Sequence, residues 1–176
     1  PAWECLSSRP VFSGGPIQEI AVQHLRLPDG TEVPDYYRIR MPDYVLVFAV
    51  DLTGQVLVLR QYKHGPGRVC WGFPGGALEA GESPIEAARR ELLEETGWVA
   101  DRWTSLGSYV TNGNQYCNTA HLYRADGCRV ETDATRPDME RPELMLMDRR
   151  TLVRPDVLPH FAVASHLALL AVATHP

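Results

Sequence analysis

Lysine is almost absent from this 176-residue chain: Lys63 is the one lysine among 17 basic residues, and the other 16 are arginines. Acidic residues number 22, so the formal net charge is −5. A surface of that sign repels a phosphate backbone, which argues against sequence-independent nucleic-acid binding. No apolar run reaches the roughly 20 residues that cross a bilayer. The nearest candidate, residues 161–173, is interrupted by Ser165 and His166, so no membrane association is expected. The first residues, Pro1-Ala2-Trp3-Glu4-Cys5, show no basic stretch followed by an apolar one, and no secretory signal is read there. Cysteine is scarce: Cys5, Cys70, Cys117 and Cys128 show no CxxC spacing, and no HxxxH pair occurs. That disfavours a disulfide framework and a zinc site, and points to reduced thiols in the cytoplasm. Internal repeats and low-complexity tracts are missing too.

What is present is an ordinary globular mixture, 44% hydrophobic and 22% charged, in a chain of single-domain length. Disordered, coiled-coil and collagen-like chains are excluded. The first third reads as β-structure. Residues 16–27 and 31–40 form a hairpin around Pro28-Asp29-Gly30, where proline presets φ and glycine tolerates positive φ. Residues 44–50 are nearly all apolar and read as a buried strand, returned by residues 55–60. A glycine-rich stretch from Lys63 to Arg68 then leads to Trp71-Gly72-Phe73-Pro74-Gly75-Gly76. The spacing predicts a helix from about Pro84 to Thr96. Ser83 and Glu86 make a capping box, Pro84 suits the first position, and Gly97 suits the left-handed stop. Ile85, Ala88, Leu92 and Thr96 are its expected core face. Residues 103–109, 116–124 and 143–147 read as strands. Pro159 introduces a last helix with Phe161, Leu167, Leu170 and Ala171 inward. Many strands with two separated helices favour an α+β fold or a mixed sheet packed between helices.

The Pro84–Thr96 helix carries a pattern that folding alone would not select. Glu91, Glu94 and Glu95 fall on one face, since Glu95 lies about 40° from Glu91 and Glu94 about 60° to the other side. Like charges at these spacings cost about 0.2–0.5 kcal/mol per pair. They also stand at the negative end of the helix dipole. Such a face calls for a cation, and oxygen ligands select magnesium, manganese or calcium. The alternative is a solvated acidic face partnered by Arg89 and Arg90. The preceding glycines favour the first reading, because Gly75 and Gly76 let backbone groups approach a metal or a phosphate.

Gly76, five residues, Glu82, seven residues, then Arg90-Glu91-Leu92-Leu93-Glu94-Glu95-Thr96-Gly97-Trp98 resembles the Nudix box at every fixed position. The one departure is Trp98, at a place that is usually aliphatic. The resemblance implies the Nudix fold, a mixed β-sheet sandwiched between α-helices. It also implies magnesium-dependent hydrolysis of a nucleoside diphosphate linked to another moiety, with Mn2+ as a substitute ion. Carried over by position, Glu91 and Glu95 correspond to metal ligands, and Glu94 to a further ligand or the holder of a catalytic water. The Gly75 carbonyl corresponds to a backbone ligand. Glu82 and Arg90 correspond to a structural ion pair, and Gly76 and Gly97 to the structural glycines of the box. Most of the chain is similar to the ADP-ribose pyrophosphatase group. That similarity implies an N-terminal arm, residues 1–43, which pairs across a homodimer and contributes substrate contacts. Residues 44–176 would form the hydrolase domain. The substrate expected is ADP-ribose or a related nucleoside-diphosphate sugar. The alternatives are hydrolysis of a dinucleoside polyphosphate or another nucleotide, and a non-catalytic nucleotide-sensing module.

Three positions depart from that group. Gly72 stands where glutamate is frequent. Lys63 stands where arginine is usual, so the charge is kept and the bidentate fork is lost. No proline occurs between Trp98 and Pro137. Tyr116 lies near the place of a tyrosine in the dinucleoside polyphosphate hydrolases of the family, and equally reads as the start of an ordinary strand. Similar members carry a glutamate in the loop spanned here by residues 132–142. Glu140 aligns there as a metal ligand or general base, with Glu143 as the competing candidate and a solvated loop acid as the alternative reading of Glu140. Tyr36 and Tyr37 suit stacking on a base, and equally suit core or dimer packing. Lys63, Arg38 and Arg40 are candidate substrate contacts, the two arginines being equally readable as solvated.

Overall fold

The computed structural model describes residues 2–132 and 142–175. The chain divides into two compact units. One is Pro1–Asp43 with Tyr109–Thr119, and the other is Tyr44–Ser108 with Ala120–Pro176.

The first unit is built on three antiparallel strands, β1 (Glu4–Gly14), β2 (Ile17–Arg26) and β3 (Glu32–Arg40). β2 and β3 are the expected hairpin; β1 is an additional strand. Its register slips between Cys5 and Ser7, between Pro10 and Phe12 and between Phe12 and Gly14. Bulges of this kind break the two-residue alternation by which a strand is read from sequence. Arg26 ties all three strands together, reaching Glu4 at 3.1 Å and Glu32 at 3.1 Å. Little of this unit is core: Ala21 and Leu25 are its buried apolar residues among strands β1 to β3.

The second unit contains β4 (Tyr44–Asp51), β5 (Gln55–Lys63), β6 (Arg68–Gly72), α1 (Pro84–Thr96) and β7 (Trp98–Val99). Strands β8 (Arg102–Asn112) and β9 (Tyr116–Val130) follow, with Tyr109–Asn112 and Tyr116–Thr119 belonging to the first unit. β10 (Glu143–Asp148), the short helix α2 (Arg149–Leu152), a single 3-10 turn at Leu158–His160, and α3 (Ala164–Thr174) complete the chain. The sheet is mixed: β4 is parallel to β9 and antiparallel to β5, and β5 is antiparallel to β10 and β6.

β4 explains the layering. Successive side chains of a strand point to opposite faces, and β4 is apolar at both. Val45, Val47 and Ala49 pack with Leu57 and with Ala87, Ala88 and Leu92 of α1. Leu46, Phe48 and Val50 pack with Val56, Val58, Phe73 and Phe161, and with Leu169, Leu170 and Ala173 of α3. The sheet is therefore sandwiched between helices.

α1 begins and ends where the capping residues place it. The Ser83 N–H donates to the Glu86 carboxylate at 2.9 Å. At the other end Gly97 adopts φ 73° and its N–H closes on Leu93 O at 2.7 Å. The buried face is Ala87, Ala88, Glu91, Leu92 and Thr96. Ile85 is only half-buried, and a carboxylate takes a place on the core side.

The last helix differs from expectation. Phe161 is buried but precedes α3, and Leu167 and Ala171 face outward. α3 is apolar around its whole circumference, so no stripe marks the inner face in advance. Leu170 is 2% exposed and Leu167 36%. Leu170→Ala is expected to cost about 2–4 kcal/mol of unfolding free energy and Leu167→Ala less than about 1 kcal/mol. Urea denaturation of the two variants measures the difference, and equal losses would contradict this packing.

Candidate functional site

Arg90 organises the acidic end of α1. Its Nε donates to Glu82 Oε1 at 2.8 Å and Nη2 donates to Glu82 Oε2 at 2.9 Å, a two-pronged grip on one carboxylate. Nη1 reaches Glu91 at 2.7 Å and Glu94 at 3.3 Å, and Nη2 also reaches Ala77 O at 3.0 Å. Five N–H donors thus meet five acceptors, the full capacity of a guanidinium. The hydrogen bonds from Arg90 hold the Glu82 carboxyl below the usual carboxylate range. The same contacts raise the Arg90 pKa still further. Glu91 is only 1% exposed, and burying a carboxylate is costly unless it is paired and hydrogen-bonded, as Arg90 pairs it here.

The loop from Phe73 to Gly76 is held from several sides. Phe73 N–H donates to His166 Nδ1 at 3.0 Å. Val47 N–H donates to Pro74 O at 2.8 Å, and Val45 N–H donates to Gly76 O at 2.9 Å. Gly75 N–H donates to Glu95 Oε2 at 2.9 Å. Side chains are excluded here. A Cβ at Gly76 would stand 2.3 Å from Glu91 Oε1, and one at Gly75 would stand 2.1 Å from Val45 O. The two glycines let the backbone lie directly against the carboxylates of α1.

This donor set suits a hard divalent cation. Its side chains present carboxylate oxygens, which favour magnesium, manganese or calcium over softer metals. Among the described residues, no group of three or more His, Cys, Asp or Glu side chains is arranged to hold a metal ion. Arg90 Nη1 lies between Glu91 and Glu94, and Glu95 is turned to the Gly75 N–H.

A model described as NUDIX domain matches residues 40–167. The chain belongs to the Nudix family. This Nudix chain is 30% identical to an ADP-ribose pyrophosphatase of Mycobacterium tuberculosis, over 98% of its own length and 85% of the relative's. It is 29% identical to an ADP-ribose pyrophosphatase of Bacillus subtilis, over 84% of its own length and 81% of that protein's. A crystal structure titled ADP compounds hydrolase superposes with a TM-score of 0.84 at 22% identity, over 98% of this chain and 92% of that one. The chain is accordingly a Nudix pyrophosphatase-type hydrolase, similar to the ADP-ribose pyrophosphatases, with the Nudix fold.

The structure brings Glu82, Arg90, Glu91, Glu94, Glu95, Gly75 and Gly76 together, with Gly97 capping the same helix. Lys63 ends β5 and lines a narrow cleft with Gln61, Trp71, Gly72 and His166. Glu143 pairs with Arg60 at 2.9 Å across β10 and β5. Glu140 lies outside the described residues. Tyr36, Arg38 and Arg40 belong to the first unit. The Tyr36 hydroxyl donates to Asn114 O at 2.7 Å, and its ring meets Trp3 edge-on at 5.7 Å. Tyr37 is exposed. Arg38 lies over the Tyr116 ring at 5.0 Å, and Arg40 is exposed in register with Cys117. Tyr116 is no ordinary strand start. It and Cys117 have φ of 75° and 60°, a left-handed pair that costs non-glycine residues of the order of 1–3 kcal/mol each. The sequence marks His166 only as an interruption of the apolar run 161–173 and assigns it no role. Its one signal was a polar residue inside an apolar segment.

Removing Arg90 should expose the cost of the buried Glu91. In EDTA, Arg90→Met is expected to lose about 3 kcal/mol of unfolding free energy, because a buried charge loses its partner. Adding Glu91→Gln should restore part of that loss. A double-mutant cycle by urea denaturation measures the coupling, and strictly additive losses would contradict the arrangement.

Proposed function

We propose that this Nudix hydrolase is a Mg2+-dependent pyrophosphatase that cleaves ADP-ribose or a related nucleoside-diphosphate sugar. The products are a nucleoside monophosphate and a sugar phosphate. The observation that carries this reading is the Gly75-Gly76 backbone lying against the carboxylates of α1, with Arg90 fixing both. The substrate class rests on similarity to the ADP-ribose pyrophosphatases of two bacteria over most of the chain.

Glu91, Glu95 and the Gly75 carbonyl would hold the ion, with Glu94 as a further ligand or as the holder of a water. A bound divalent ion neutralises the diphosphate, polarises its P–O bonds and lowers the pKa of the attacking water. The residues of the chain supply position and proton transfer. Arg90 keeps its grip on Glu82 and so keeps α1 against the glycine loop, while its Nη1 contacts to Glu91 and Glu94 would have to be shared with a bound ion. Water attacks one phosphorus and the bridging P–O bond breaks. The water proton passes to a carboxylate, for which we assign Glu140, since the box glutamates would be engaged as ligands or in holding the water. Lys63 is assigned to the substrate's negative charge, and Tyr36, Arg38 and Arg40 to the nucleoside side.

The 1–43 arm is assigned to pairing between two copies of the chain. Almost every residue of β1 is exposed, and Trp3, Val11, Phe12 and Tyr37 stand in solvent. A second copy covering these strands would remove an open sheet edge. No described helix is long and apolar enough to cross a membrane, and the reaction proposed belongs in the cytoplasm.

A panel of nucleoside diphosphate derivatives with Mg2+ or with EDTA tests this reading. ADP-ribose or a nucleotide sugar should be cleaved only with the ion. Glu95→Gln should lower kcat/KM by about a hundredfold or more. Its Tm in EDTA should hold or rise, because one of several clustered like charges is gone. No turnover by the wild type, or full activity in Glu95→Gln, would overturn it.

A further inference from the structure

His166 enters the loop from the opposite helix. α3 packs on the face of the sheet that α1 does not cover, and its first turn carries an imidazole that is nine-tenths buried. Nδ1 accepts the Phe73 N–H at 3.0 Å, so Nδ1 is unprotonated and the ring proton sits on Nε2. Burial and the charge of Lys63 push the imidazole pKa down to about 4. The ring therefore stays a neutral acceptor at physiological pH.

The same ring fills the space in front of Gly72. A Cβ there would lie 3.0 Å from Cε1, 3.2 Å from Nε2 and 3.3 Å from Nδ1 of His166. The missing side chain at position 72 thus has a cause on α3: imidazole and a side chain at 72 compete for one volume. Phe73 is locked in turn. Its ring stacks on Phe161 at 5.3 Å, tilts against Phe48 at 5.5 Å and lies 6.1 Å from His166. Two residues further on, Gly75 N–H meets Glu95. A loop fixed at Phe73 from α3 and at Gly75 from α1 has little freedom between those points.

We propose that His166 is a positioning residue for the metal and diphosphate site, holding the Phe73 amide so that the Gly75 backbone is presented to the α1 carboxylates. This rests on the function proposed above. His166 is assigned no direct contact with substrate or ion; its role runs through the Phe73 backbone.

Three variants test it. His166→Leu keeps bulk and removes the acceptor. His166→Asn places an oxygen where Nδ1 stands, and His166→Gln places one where Nε2 stands. The readouts are Phe73 amide exchange by NMR and the Mn2+ dissociation constant of the substrate-free protein. His166→Leu should speed Phe73 exchange by about tenfold and weaken Mn2+ binding by about tenfold. Amides of β4 should be much less affected. His166→Asn should stay within about threefold of the wild type on both measures. If His166→Leu does not fold, the Asn and Gln variants decide, since Asn alone should protect the Phe73 amide. The proposal is overturned if His166→Leu leaves both readouts unchanged. It is also overturned if that variant loosens β4 as much as Phe73, or if Asn and Gln behave alike. A wild type that binds no Mn2+ overturns the metal-site reading as well, and shows itself before any variant is made. A wild type that binds Mn2+ but cleaves no nucleoside diphosphate derivative overturns the substrate reading, while the exchange and Mn2+ data still decide the role of His166.

Discussion

The guanidinium of Arg90 is the constraint on which the site depends. Clustered glutamates at the C-terminal end of a helix repel one another and the helix dipole, and Glu91 is buried besides. Without a partner, that arrangement would shift or unfold. Arg90 spends all five donors on Glu82, Glu91, Glu94 and Ala77 O. Glu82 precedes α1 and Ala77 follows the glycine loop. One side chain therefore joins the helix to the segment that enters it. A lysine could supply the charge but not the fork.

The second constraint is space. Glu91 and the Gly76 backbone are so close that one added methyl would collide with the carboxylate. Packing of α1 on Val45 and Val47 brings the carboxylates to the loop, and the backbone of those same residues binds Pro74 O and Gly76 O. The central strand thus serves at once as core and as scaffold for the site. His166 adds a hold from the other layer, so the loop is gripped from both sides of the sheet.

Much of this was legible in the sequence because local rules and the box agreed. The capping box, Pro84 and Gly97 delimit α1 at the residues observed, and the glutamate spacing places three carboxylates together. The apolar run at 44–50 announces a strand buried on both faces. What could not be read has physical causes. β1 is bulged, serine-rich and exposed, so no alternation marks it. α3 is apolar all round, so its inner face is settled only by what it packs against. The left-handed pair Tyr116 and Cys117 is held by tertiary contacts: Arg38 over the ring, and Met41 N–H on Cys117 O. His166 lies 93 residues from Phe73 along the chain, a contact that no local pattern reveals.

The central claim is that Arg90 keeps the α1 carboxylates and the glycine loop assembled as a divalent-ion site. The thermal midpoint of the wild type in EDTA, and again with millimolar Mg2+ or Mn2+, tests it most directly. An ion that binds the native state alone should raise Tm by about 3 °C or more, and the rise should vanish in Glu91→Gln. A midpoint unmoved by either ion in the wild type would contradict the account.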